Sequence, residues 1–251
     1  MQSKNVRRGR RFIFVLTSAV AAFLVVSSIS CIRTDLIENK GPGSGRYDMQ
    51  SAERELSGTY NVTGTDENGN DAYTGSLSVN NQGDAYRFRW TTNHDRHEGV
   101  GIQIGDSVAA SYASTGGGAG CGVVLYKIAS DGSLNGRIAH WGEYTYGTEQ
   151  AVRTEGTGFP GMYSVTGRAA DGKEYKGTLK ITKDGSGYDF EWKTDKPYVA
   201  FGIWKGSSAA ASFGGTKCGF ALFSVEASGD LDGRWGGQKA ITFGTEKGKR
   251  Q

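Results

Sequence analysis

Residues 86–90 read Tyr86-Arg87-Phe88-Arg89-Trp90, and residues 188–192 read Tyr188-Asp189-Phe190-Glu191-Trp192. In both runs, rings alternate with charged side chains. A period of two puts the rings on one face of an extended strand and the charges on the other. Both runs belong to a longer internal duplication. Gly58-Thr59-Tyr60-Asn61-Val62-Thr63-Gly64 returns as Gly161-Met162-Tyr163-Ser164-Val165-Thr166-Gly167. Gly101-Ile102 returns as Gly202-Ile203, and Cys121-Gly122 as Cys218-Gly219. Gly132-Ser133-Leu134-Asn135-Gly136-Arg137 returns as Gly229-Asp230-Leu231-Asp232-Gly233-Arg234, and each copy closes on Gly-Thr-Glu, at 147–149 and 244–246. Order and spacing kept over so many positions define two copies of one unit.

Asn68-Gly69, Asp131-Gly132, Asp171-Gly172 and Asp184-Gly185 supply hairpin turns between the alternating runs. The chain has 40 glycines in 251 residues and only three prolines. That is more than twice the usual glycine share of about 7%. Single glycines scattered among aromatic and β-branched residues predict many short strands. The fold class is therefore all-β: two tandem antiparallel meander repeats of about eight strands each. Eight strands close a small up-and-down β-barrel, and one merged barrel or sandwich is the alternative. The small residues of Val108-Ala109-Ala110-Ser111 and Ala209-Ala210-Ala211-Ser212 fall on equivalent strands, where they leave barrel interiors to bulkier rings.

Residues 4–11 carry five basic side chains, residues 12–26 are apolar apart from Thr17 and Ser18, and Ser27-Ser28-Ile29-Ser30-Cys31 follows. This is the three-part pattern of a secretory signal. Cys31 after a small residue resembles the lipobox of bacterial lipoproteins, with Ser28 standing where that family usually has Leu. The resemblance implies that Cys31 carries a lipid and begins the mature chain, giving a membrane partner and an exported, periplasmic or cell-surface location. An uncleaved signal anchor and simple secretion after cleavage are the alternatives. The expected organisation is a signal over 1–31, a flexible tether over 32–57 containing Gly41-Pro42-Gly43-Ser44-Gly45, one repeat over 58–155 and a second over 156–251.

The formal charge of +3 arises from this leader. Lys4, Arg7, Arg8, Arg10 and Arg11 precede Cys31 with no acidic residue among them; without them 24 basic residues face 26 acidic ones. No basic stripe remains for a nucleic-acid partner.

The repeat as a whole resembles a small family of bacterial exported proteins, mostly uncharacterised, some labelled fibronectin-binding by similarity. The features that carry it are Gly-x-Tyr-x-Val-x-Gly, the Asp/Asn-Gly turn, Tyr-x-Phe-x-Trp, Asp-Gly-x-Leu-x-Gly-Arg and the closing Gly-Thr-Glu, over 58–149 and 161–246. They are structural glycines and aromatics. The resemblance implies an adhesin-like, non-enzymatic role and names no catalytic residue.

Candidate sites are few. His94-Asp95-Arg96-His97-Glu98 is the densest cluster of metal-capable side chains, making His94 and His97 candidate zinc ligands. The spacing matches no standard site, and the second copy has Thr194-Asp195-Lys196-Pro197-Tyr198 there, so a solvated loop is the plainer reading. Asp66 to Asp71 has a calcium-loop look, but reads more simply as a hairpin turn. Gly116 to Gly120 lacks the Lys-Ser/Thr of a phosphate loop. Cys121 and Cys218 either form a disulfide or each fill a buried site. Arg137 with Glu149, and Arg234 with Glu246, share a separation of twelve and are expected as strand-to-strand ion pairs, a ligand-binding or catalytic carboxylate being the alternative. The Arg87-Arg89 and Asp189-Glu191 faces are opposite in sign and are candidates to meet, within one molecule or between two, with two separate solvated faces as the plainer reading. No cofactor is expected, since no acid–base pair or nucleophile elbow is present.

These readings favour a lipid-anchored binding or structural protein of the bacterial envelope. A protein or polysaccharide partner is favoured, met by Trp141, Tyr144 and Tyr146 in a long loop. A small apolar ligand held in a barrel and a metal-dependent hydrolase using His94 and His97 are the alternatives.

Overall fold

The computed structural model describes residues 53–238 and 240–251. The leader, Cys31 and the tether up to residue 52 lie outside them. Sixteen strands follow in order: β1 Gly58–Thr65, β2 Ala72–Gln82, β3 Ala85–Thr92, β4 Arg96–Ile104, β5 Ser107–Ser114, β6 Gly122–Ile128, β7 Leu134–His140 and β8 Gly147–Glu155 in the first copy. The second copy supplies β9 Gly161–Arg168, β10 Glu174–Asp184, β11 Gly187–Lys193, β12 Tyr198–Lys205, β13 Ser208–Phe213, β14 Gly219–Val225, β15 Leu231–Gly236 and β16 Gly244–Arg250. The turn glycines Gly69, Gly132, Gly172 and Gly185 adopt φ between 53° and 85°, the left-handed conformation that tight hairpins need.

Two closed eight-stranded antiparallel barrels result, as the strand count predicts. Their division does not follow the repeat. Barrel I consists of β1–β5 and β14–β16; barrel II consists of β6–β13. Barrel II is a continuous up-and-down meander inserted between β5 and β14 of barrel I. If each copy closed on itself, β5 would pair with β6 and β1 with β8. Instead β5 pairs with β14, β6 with β13, β1 with β16 and β8 with β9. Each barrel thus takes five strands from one copy and three from the other.

The crossings between barrels run side by side. Cys121 precedes β6, Cys218 precedes β14, and the two form a disulfide with Cα atoms 5.7 Å apart. Equivalent residues meet here because the crossings flank the axis relating the copies. Ser107 meets Ser208 at 2.9 Å and Ser111 meets Ser212 at 2.6 Å, hydroxyl to hydroxyl, on the same axis. Gly214, at φ 108°, leaves no room for a side chain, because a Cβ there would sit 2.2 Å from the Gly120 carbonyl oxygen. The Gly116–Gly120 run is therefore part of a crossing, not a phosphate loop.

Three cores follow from the alternation. Tyr60, Val62, Leu77, Phe88 and Trp90 face into barrel I. Tyr163, Val165, Leu179, Phe190 and Trp192 face into barrel II. Between the barrels, Val100, Ile102, Val123, Leu125, Phe201, Ile203, Phe220 and Leu222 pack outward-facing side chains together. This third core explains the near-continuous apolar runs of β4–β6 and β12–β14, which are buried on both faces. The small residues of β5 and β13 divide accordingly: Val108 and Ala110 face the interior of barrel I, while Ala109 and Ala210 face the other barrel. The last residues of the expected tether also belong to the fold. Leu56 is fully buried in the core of barrel I, and its carbonyl accepts a hydrogen bond from Tyr60 at 2.7 Å. Phe159 plays the same part for Tyr163 in barrel II, at 2.5 Å.

The disulfide closes a sequence separation of 97 residues. Replacing both cysteines with serine is expected to lower unfolding stability by about 4 kcal/mol, measured by urea denaturation, with the barrels still closed, because backbone pairing carries the seams.

Candidate functional site

The register decides where the two Gly-Thr-Glu carboxylates go. Glu149 lies opposite Gly136 and Glu246 opposite Gly233, whereas Arg137 lies opposite Thr148 and Arg234 opposite Thr245. Neighbours along a strand face opposite ways, so each glutamate points inward while its expected arginine partner points out. The expected ion pairs therefore do not form. Arg137 crosses to barrel I, where it binds Glu53 at 2.5 Å and the Gln103 carbonyl, and it lies under the Tyr146 ring. Arg234 is exposed.

Inside barrel II, Glu149 accepts hydrogen bonds from the Tyr126 hydroxyl, from Tyr175 at 2.9 Å and from the Trp192 indole N–H at 3.1 Å. Inside barrel I, Glu246 accepts from Tyr73 at 2.7 Å and from the Trp90 indole at 2.9 Å. Burial holds both carboxyls above the ordinary value, against the opposing pull of these donors. It also pushes the surrounding phenols up, Tyr73, Tyr126 and Tyr175 among them.

The repeat's glycines make this cluster possible. A Cβ at Gly64 would strike the Tyr73 ring at 2.4 Å, and one at Gly167 the Tyr175 ring at 2.2 Å. Gly233 and Gly136 likewise lie against the rings of Phe223 and Tyr126, and Gly244 against Trp235. Glycines spaced along the strands let rings lie flat across the sheet and deliver their polar atoms to one carboxylate.

Several substitutions make the barrels differ; besides the two that follow, Tyr112 and Trp235 stand in barrel I where Phe213 and Ile138 stand in barrel II. Phe223 stands in barrel I where Tyr126 stands in barrel II, so Glu246 has two protein donors and Glu149 three. His97, paired with Trp90, stands where Tyr198, paired with Trp192, stands in barrel II. Tyr198 stacks on Trp192 with centroids 4.4 Å apart and planes within 12°. The His97 ring instead meets Tyr112 edge-on at 5.4 Å, and burial lowers its pKa.

A cavity of about 230 Å³ consequently opens at the mouth of barrel I and reaches Glu246. Trp90, Tyr73, Tyr112, Phe223 and Trp235 wall it, with Asp66, Asp71, His94, Asp95 and His97 toward the rim. The corresponding hollow of about 470 Å³ over barrel II is lined by Tyr175, Tyr198 and Phe213, but by neither Glu149 nor Trp192.

Other expected sites resolve as follows. His94 is exposed and His97 half-buried; both line the cavity, and among the described residues no group of three or more His, Cys, Asp or Glu is placed to hold a metal ion. Asp66 accepts from the Asn68 and Asn70 amides, which makes its loop a side-chain-capped turn. Trp141 carries the Arg87 guanidinium 3.6 Å above its ring, and Tyr146 packs on the core between the barrels; Tyr144 alone of the three is exposed. Arg87 pairs with Glu98 at 2.6 Å and Glu191 with Lys193 at 3.5 Å, and among the described residues no ion pair joins the two oppositely charged faces within the chain. Among the described residues no helix is long and apolar enough to cross a membrane. No family model, curated protein or solved structure matches the chain.

The raised carboxyls give a pH signature. A folded-state pKa above the unfolded value of about 4.5 contributes stability that is complete below that value and lost as pH rises through the folded one. The double variant Glu149→Gln/Glu246→Gln lacks this contribution. Its stability relative to the parent is expected to improve as pH rises from about 4.5 to 7, measured by urea unfolding across that range.

Proposed function

We propose that this chain is an exported, lipid-anchored binding protein, and that the mouth of barrel I takes a small molecule. One observation carries the reading. The same carboxylate–aromatic cluster occurs in both barrels, but among the described residues the cavity at the mouth of barrel I is lined by Glu246 and Trp90, while the hollow over barrel II is lined by neither Glu149 nor Trp192. The cavity ends on a carboxyl that is itself buried, 4% exposed against 3% for Glu149, and a purely structural cluster needs no such approach to it. Aromatic walls with a few convergent polar groups are the general make-up of a ligand site. At about 230 Å³ the cavity is smaller than the roughly 300–1,000 Å³ of drug-sized pockets, which fits a small metabolite.

Export is supported by the leader's basic, apolar and small-residue blocks ending at Cys31, and by the Cys121–Cys218 disulfide, a bond that persists in oxidising compartments. A macromolecular partner has less in its favour, because Trp141 and Tyr146 are engaged within the fold.

The test is native mass spectrometry of the full chain in detergent after incubation with a small-molecule extract of cells. The parent is expected to carry an added mass that leaves on denaturation, and His97→Tyr, which restores the lid seen in barrel II, is expected to stay bare. A parent that remains bare, or an equal load on both proteins, would contradict the reading.

A further inference from the structure

We infer that the barrel I cavity recognises an organic cation, a protonated primary amine on a small apolar body. This rests on the small-ligand reading above and names its ligand class.

Charge is the first argument. The lining includes the carboxyl side chains of Asp66, Asp71, Asp95 and Glu246, and among the described residues it includes no Lys or Arg. The hollow over barrel II is different: Lys173 and Lys196 accompany Asp171, Asp195 and Glu143, and Lys173 pairs with Asp195 at 3.2 Å. The acidic excess is thus confined to the barrel whose carboxylate can be reached.

The walls are the second. Trp90, Tyr73, Tyr112 and Trp235 surround the space above Glu246, and ring faces attract a cation within about 6 Å of their centroids. A cation held over such faces away from water is attracted more strongly than one at an exposed ring.

The third is a missing donor. An ionised carboxylate offers about four acceptor sites. Tyr73 occupies one on Oε2 of Glu246 and Trp90 one on Oε1. In barrel II a third is filled by the Tyr126 hydroxyl, and Phe223 removes that hydroxyl from barrel I. A ligand N–H⁺ supplies both the absent donor and the counter-charge that a buried carboxylate lacks. A quaternary ammonium supplies only the charge, which favours the primary amine. Burial independently raises the Glu246 pKa, the behaviour of a carboxylate without a cationic partner.

The experiment is isothermal titration of the full chain in detergent and phosphate buffer, free of competing amines, with phenethylamine and its neutral isostere 2-phenylethanol. Phenethylamine is expected to bind at least about tenfold more tightly, and Glu246→Gln to reduce the difference to about twofold. Asp71→Asn/Asp95→Asn, confined to the exposed rim, is expected to weaken the amine about threefold, lessen its salt dependence and leave the alcohol unchanged. It keeps the question open to refutation if Glu246→Gln does not fold. Equal binding of amine and alcohol by the parent would overturn the cation inference while leaving a small-ligand site. Binding of neither probe would overturn both.

Discussion

A strand at the edge of a sheet has to find a partner, and every closure in this chain depends on a strand from the other copy. The seams β5–β14 and β6–β13 on one side, and β1–β16 and β8–β9 on the other, are where self-pairing has been exchanged. The exchange has energetic consequences. The crossings must lie together, which brings the equivalent cysteines and serines into contact on the axis. The barrels must lie against each other, which covers the apolar outer faces of β4–β6 and β12–β14. Each fully buried Val, Leu, Ile or Phe contributes about 1.5–3 kcal/mol, so the layer between the barrels is a core in its own right.

Within that frame the repeat builds one carboxylate–aromatic cluster twice. The glycines of Gly-x-Tyr-x-Val-x-Gly and Asp-Gly-x-Leu-x-Gly-Arg serve as flat ground for rings, and the glutamate of Gly-Thr-Glu sits where their polar atoms converge. Barrel II completes the cluster with Tyr126 and covers it with Tyr198. Barrel I has Phe223 and His97 at these places and is open. These exchanges, together with Tyr112 and Trp235 in place of Phe213 and Ile138, leave a cavity with an acidic rim over the barrel I cluster. Duplication keeps one cluster in both barrels while the residues around it diverge.

Much of this was legible in the sequence. The alternation of Tyr86, Phe88 and Trp90 with Arg87 and Arg89 gives strands and their inward face, and the Asp/Asn-Gly pairs place hairpins. Pairing across the seams was not legible, because identical strand ends compete for the same partner and only the packed layer between barrels decides between them. The separation of twelve from Arg137 to Glu149 correctly indicates adjacent strands. It fails on parity, since a one-residue difference in register moves a side chain to the other face. The carboxylate cluster was hidden for a related reason: its members come from strands far apart in the chain, and its glycines read as turn or strand-weakening residues. The signal that could have exposed it is the recurrence of Tyr73 as Tyr175 beside the recurring glutamates.

The interlocking of the copies is tested most directly by cutting between them. A protease site placed between Thr157 and Gly158, in the exposed link from β8 to β9, is cleaved in the folded chain, the disulfide is reduced, and the product is sized under native conditions. The exchanged seams predict one folded species containing both fragments, which separate only on denaturation. Two independently folded halves after reduction would contradict it, and would return one barrel to each copy.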